Sequence, residues 1–92
     1  MSGRRNESTP RTVTARAMTI LSAFSRERPT MGLQEISRQT GLAVSTTHRL
    51  VAELVEWGAL TRTDVYTYRI GPLINRLAAA NAADERPKRE KV

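Results

Sequence analysis

From Val13 onward, apolar residues recur at three- and four-residue spacing. Ala17, Ile20, Leu21 and Phe24 fall on one face and predict a first helix. Thr12 or Thr14 can accept from the free amides at its start. Pro29 closes the segment, because the residue before a proline avoids helical dihedrals. A second helical run covers 32–40, with Gly32 as N-cap and Glu35 where a capping-box carboxylate sits. Gly41 ends it, since glycine readily takes the left-handed conformation that stops a helix. A third helix runs from about Val44 to Trp57, up to Gly58. Thr47, Leu50, Val51 and Leu54 form its buried stripe, while Ser45, Thr46, His48, Arg49, Ala52, Glu53 and Glu56 point elsewhere.

The period then shortens. Residues 59–62 and 66–70 read as two β segments, the second alternating, aromatic and β-branched, with Thr63, Asp64 and Val65 as the turn. Gly71 and Pro72 break the strand, and Pro72 suits the first position of a helix over 73–83 with Leu73, Ile74 and Leu77 on one side. At the ends, 1–11 has no apolar residue after Met1 and reads as a flexible basic arm, and 84–92 reads as a charged disordered tail. Between them lie a folded domain over 12–71 and a C-terminal linker or dimerisation helix over 72–83.

Composition narrows the chemistry. Ninety-two residues make one small domain. Without cysteine there is no disulfide, thiolate metal site or thiol redox chemistry, and His48 is the sole histidine. With no paired carboxylates aimed at a pocket, an enzyme is the least favoured reading, and neither cofactor nor metal is expected. No apolar stretch is long enough to span a membrane. Fifteen basic residues against nine acidic give a net charge of +6, the footprint of a polyanion binder. Thirteen of the fifteen are arginine, which suits bidentate contacts to phosphate and guanine but equally suits a GC-rich genome. The excess lies at the two ends, and residues 29–71 are neutral overall, so charge alone does not locate a binding surface.

The order of elements does. Helix, helix, glycine turn, helix and β-hairpin is a winged helix-turn-helix, mainly α with a small hairpin: a three-helix core, a wing and a C-terminal fourth helix. Leu33, Ile36, Leu42 and Leu50 lock the helix crossing from inside. The first turn of the third helix is left to project into a major groove about 12 Å wide.

Two stretches carry a resemblance: GLQEISRQTGLAVSTTHRLVAELVEWGAL at 32–60 and YRIG at 68–71. Together with 16–21 in the first helix, they resemble the N-terminal DNA-binding domain of IclR-type bacterial transcription regulators. The similarity spans roughly residues 13–80. It implies a double-stranded DNA partner, a bacterial cytoplasmic location and a homodimer through the first and fourth helices. There are departures. Asp64, Val65 and Tyr66 stand where the family's wing carries glycine and aspartate, Ser37 and Thr47 where alanine and valine are usual, and Ala43 where proline is frequent. Family members also continue into an effector-sensing domain, so no small-molecule ligand is expected here. The chain is either an excised domain or a stand-alone DNA-binding protein, and the solvated character of 84–92 favours the second.

The candidate DNA-binding residues are Arg16, Gln34, Val44, Ser45, Thr46, His48, Arg49, Arg62 and Arg69. Arg49 reaches a phosphate or guanine edge unless it pairs with Glu53 four residues on. His48 donates to phosphate or base, or simply faces solvent. Ser45 and Thr46 touch DNA, cap their helix, or both. Gln34 and the amides of Gly32 and Leu33 form a phosphate clamp. Arg62 and Arg69 flank the wing, where they straddle the neighbouring groove or are a solvated strand face. Arg16 lies near the backbone by resemblance. Arg4, Arg5 and Arg11 form an arm that enters a minor groove or merely tethers. Trp57, Tyr66 and Tyr68 are assigned to packing. The leading function is sequence-specific regulation of transcription, most simply by repression. The alternative is a winged-helix protein–protein module whose DNA affinity is nonspecific and steeply salt-sensitive.

Overall fold

A computed structural model of the chain describes residues 11–84. Thr12 caps the first helix, α1 (Val13–Ser22), its hydroxyl accepting from the Ala15 amide at 3.0 Å. The helix ends well before Pro29, against the sequence expectation. Ala23 and Phe24 bond back in a tighter turn, and Ser25 then closes a second turn with Arg28, each donating its amide to the other's carbonyl at 3.1 Å. The hydroxyl of Ser25 also accepts from the Arg28 amide. These local bonds compete with helix continuation. Phe24 still packs on the core, from outside the helix.

A short strand follows that periodicity did not reveal: β1 (Thr30–Gly32). Beyond it come α2 (Leu33–Thr40), α3 (Val44–Trp57), β2 (Leu60–Arg62), β3 (Thr67–Ile70) and α4 (Pro72–Ala83). The expected hairpin is therefore a three-stranded antiparallel sheet in the order β1-β3-β2. Met31 pairs with Tyr68 and Tyr68 with Arg62, whereas Arg69 sits between Thr30 and Thr61. A third strand matters because an isolated two-stranded hairpin is marginal in water. The fold class stands as read: mostly helical, with a small antiparallel sheet.

Ile20, Met31, Ile36, Leu42, Leu50, Val51, Leu60 and Tyr68 form one core that joins α1, α2 and α3 to the sheet. Gly41 ends α2 with φ 77° and Gly58 ends α3 with φ 85°, both left-handed. Glu35 forms no capping box; its carboxylate instead accepts from Arg28 Nε at 3.1 Å and ties the Ser25–Arg28 turn to α2. In the helix-turn-helix corner, the hydroxyls at the unusual positions satisfy the turn backbone. Ser37 Oγ donates to the Leu42 carbonyl at 2.6 Å, and Thr47 Oγ1 donates to the Ala43 carbonyl at 2.9 Å. The Leu42 amide donates to Thr40 Oγ1 at 3.3 Å. Polar residues are thus buried here because each has a partner.

Gly71 has no room for a side chain, since a β-carbon there meets the Gly58 and Leu60 backbone. Its amide donates to Ala59 and the Leu73 amide to Gly58, both at 2.9 Å, fixing where α4 leaves the sheet. α4 packs chiefly on β2 rather than along α1. An apolar groove of about 370 Å³ separates the two helices. The predicted arm and tail fall almost entirely outside the described residues.

Candidate nucleic-acid interface

α3 begins without a side-chain cap. Ala43 is the N-cap, at φ −61° and ψ 149°, and no side chain bonds the free amides of the first turn. Ser45 and Thr46 therefore do not cap the helix, and its first turn offers amides, hydroxyls and a positive dipole end outward. Val44, Ser45, His48 and Arg49 are exposed and Thr46 is half-buried. Arg49 does not pair with Glu53: among the described residues the ion pair is Arg28–Glu35. The local alternative to a partner molecule is thus unused.

The wing supplies a second wall. Arg62 lies on the sheet face that carries Met31 and Tyr68, toward α3. Its guanidinium stands 5.6 Å from the Tyr68 ring centroid and donates to the Tyr68 hydroxyl at 3.4 Å. Cation–π contact and hydrogen bond together hold the charge in place. Between α2, α3 and the wing runs an open groove of about 580 Å³, bordered by Gln34, Arg38, His48, Arg62, Val65 and Tyr66. Glu35 also borders it, its charge engaged by Arg28. Gln34 sits in the uncapped first turn of α2, beside Gly32.

At the wing tip Asp64 takes over the job of a flexible glycine. Its Oδ1 accepts from the Tyr66 amide at 2.9 Å and from Thr67 Oγ1 at 3.1 Å. The Thr63 and Thr67 hydroxyls bond each other across the turn. This holds the Asp64 carboxyl below its ordinary range, chiefly through the Tyr66 amide and then the Thr67 hydroxyl, which favour the anion. The turn presents Val65 and Tyr66 to solvent, Tyr66 being 79% exposed.

The structure does not bring all the sequence candidates together. Arg69 projects from the opposite sheet face to Arg62, between Thr30 and Thr61, so the two do not straddle one surface. Arg16 is half-buried on α1, one turn before Ile20, and does not border the groove. Tyr68 is a packing residue, but Trp57 is 77% exposed and Tyr66 more so, against the packing role assigned to them. Arg38 was missed. It lies four residues after Gln34, and that spacing alone places both on one helix face.

Two helices crossing at a glycine turn, an uncapped first turn on the second of them followed by exposed His48 and Arg49, and a flanking wing define a winged helix-turn-helix of the kind found in DNA-binding regulators. The family model of the IclR helix-turn-helix domain matches residues 13–64. The chain belongs to the IclR family of transcription regulators, a family of regulators rather than enzymes.

Solved structures agree. An IclR-type regulator from Silicibacter sp. TM1040 is similar at 34% identity and a TM-score of 0.73, over 78% of this chain and 29% of that one. An IclR homolog from Microbacterium sp. strain HM58-2 aligns at 30% identity and 0.74, over 78% and 30%. An IclR family regulator from Brucella abortus aligns at 32% and 0.72, over 79% and 28%. The chain thus spans less than a third of the length of these relatives. Comparison with the curated proteins found no match.

Proposed function

We propose that this chain binds double-stranded DNA in a sequence-specific manner and regulates transcription, most simply by occluding a promoter. One observation carries the reading: the first two turns of α3 present Ser45, His48 and Arg49 outward, and Arg49 has no acidic partner among the described residues. In this reading α3 enters the major groove, where Arg49 reads a guanine or grips a phosphate and Val44, Ser45, Thr46 and His48 touch base edges or backbone. Gln34, the α2 amides, Arg38 and Arg62 hold the flanking phosphates. Arg16 is assigned to the backbone by resemblance. The protein acts in the bacterial cytoplasm, at the nucleoid when bound. Among the described residues no helix is long and apolar enough to cross a membrane.

A second copy completes the unit. Val13, Met18, Trp57 and Leu77 are each more than half exposed, and all four border the groove between α1, α3 and α4. Their cover would be the same face of a partner. Dimers suit this size of module, since one buries only about 600–1,000 Å² on DNA and paired half-sites lie ~34–36 Å apart.

Selection from a randomised duplex pool at moderate salt tests both steps. An enriched palindrome with half-sites one turn apart is expected. A single enriched half-site removes the dimer. Tight low-salt binding without enrichment removes the regulator and leaves a protein–protein module.

A further inference from the structure

Arg69 lies outside the surface just described, and its surroundings have a chemistry of their own. It projects at the base of the sheet, where the end of β3 meets the α1–β1 loop. The wing tip lies at the other end of β3. With Phe24, Arg26, Pro29, Thr30 and Ile70 it borders an open groove of about 510 Å³. Phe24 and Ile70 are half-buried and form an apolar floor, while Arg26 and Arg69 are exposed at the rim.

Neither arginine has an acidic partner among the described residues; Glu27, next to Arg26 in the turn, pairs with neither. The backbone that carries Arg26 is held in place. Its turn is closed by reciprocal Ser25–Arg28 bonds at 3.1 Å, and Arg28 is anchored to Glu35.

We infer that this groove docks an acidic segment of a partner protein, with one apolar side chain on Phe24 and Ile70 and carboxylates on Arg26 and Arg69. Two exposed, unpaired cations over an apolar floor complement that chemistry. DNA is the poorer occupant. A phosphate strand gains nothing from the apolar floor, and a duplex seated on α3 and the wing tip lies at the other end of the sheet, away from the face that Arg69 occupies. The inference rests on that reading of which side faces DNA.

The probe is a fluorescein-labelled peptide of aspartate and glutamate around one central phenylalanine. Its control carries asparagine and glutamine instead. Anisotropy and amide shift mapping are measured on the full chain. The acidic peptide is expected to bind, to shift Phe24, Arg26, Thr30, Arg69 and Ile70, and to stay bound when DNA is added. The double change Arg26→Glu with Arg69→Glu is expected to weaken it roughly ten-fold or more, whereas Arg49→Ala is not. Both altered arginines are exposed, so folding is not at stake.

Shifts confined to α3 and the wing, or displacement by DNA, would overturn the inference, because the peptide would only be imitating phosphate. So would a loss of DNA affinity in Arg69→Ala equal to that in Arg49→Ala, or no binding at millimolar peptide. If no DNA sequence is enriched, the DNA reading falls by itself, and the shift map still decides this one.

Discussion

Gly71→Ala should be among the most damaging single-methyl additions to this domain. The residue has an ordinary φ of −94°, so the penalty is spatial rather than conformational. A β-carbon would lie 2.8 Å from both the carbonyl carbon and the oxygen of Leu60, and closer still to the Gly58 oxygen. Ordinary contact begins at 3.4 Å, so backbone must retreat by at least 0.6 Å. That backbone is pinned by the Gly71–Ala59 and Leu73–Gly58 bonds, both at 2.9 Å.

Overpacking costs about 1–3 kcal/mol, and distorting one of the pinned bonds adds about 1 kcal/mol. The smaller entropy of the unfolded chain returns about 0.4–1 kcal/mol. The net is roughly 1–3.5 kcal/mol, against about 5–10 kcal/mol for a domain of this size. At about 4–8 °C per kcal/mol, Tm should fall by ~5–25 °C in a circular-dichroism melt. Gly41→Ala is the internal contrast. It meets nothing within 4 Å, and only its φ of 77° opposes it, for about 1–2 kcal/mol. If Gly71→Ala melts within ~2 °C of the parent, or above Gly41→Ala, the reasoning from backbone contact is wrong.

Ala43 already holds proline-like dihedrals, φ −61° and ψ 149°, and its amide donates to no described group. Ala43→Pro should therefore raise stability by about 0.4–1 kcal/mol, read as a higher urea midpoint at unchanged slope; a lower midpoint would show that the site resists the ring. Ser37→Ala leaves the Leu42 carbonyl without its 2.6 Å donor and should cost about 1 kcal/mol net, with amide shifts at 44–49; a gain in stability would count against the latch. Asp64 has its pKa lowered from 3.8 by its hydrogen bonds, so its hold on the wing turn is complete above that value and lost as pH falls through the folded midpoint. A carboxyl titration followed by NMR at or above 3.8, or Tyr66 and Thr67 amides that ignore it, would contradict this. Arg49→Ala should lower affinity for a selected duplex by roughly ten- to a hundred-fold with little change on mixed-sequence DNA. Unchanged affinity would remove Arg49 from the site, and an equal loss on all sequences would make it a phosphate contact.

What the sequence determined was local. The limits of α3, the left-handed Gly41 and Gly58 and Pro72 at the first turn of α4 depend on residues within a turn or two of each other and were legible, as was the cap of α1 to within two threonines, Thr12 and Thr14. So was the family, because the motif lies in contiguous stretches. What the tertiary structure decided was pairing and facing. β1 exists because β3 offers it a partner some forty residues away, and three residues carry too little period to announce it. Alternation shows that neighbouring strand residues face opposite ways, but not which face is covered. Register alone put Arg62 toward α3 and sent Arg69 to the other side. The Ser25–Arg28 turn and the Arg28–Glu35 pair overrode helix periodicity and the capping box, since hydrogen bonds to specific partners outweigh weak local preference. Spacing allows Arg49 to pair with Glu53 and cannot require it. Only the folded arrangement leaves that guanidinium free for another molecule, because an exposed ion pair on a helix gains too little to hold it.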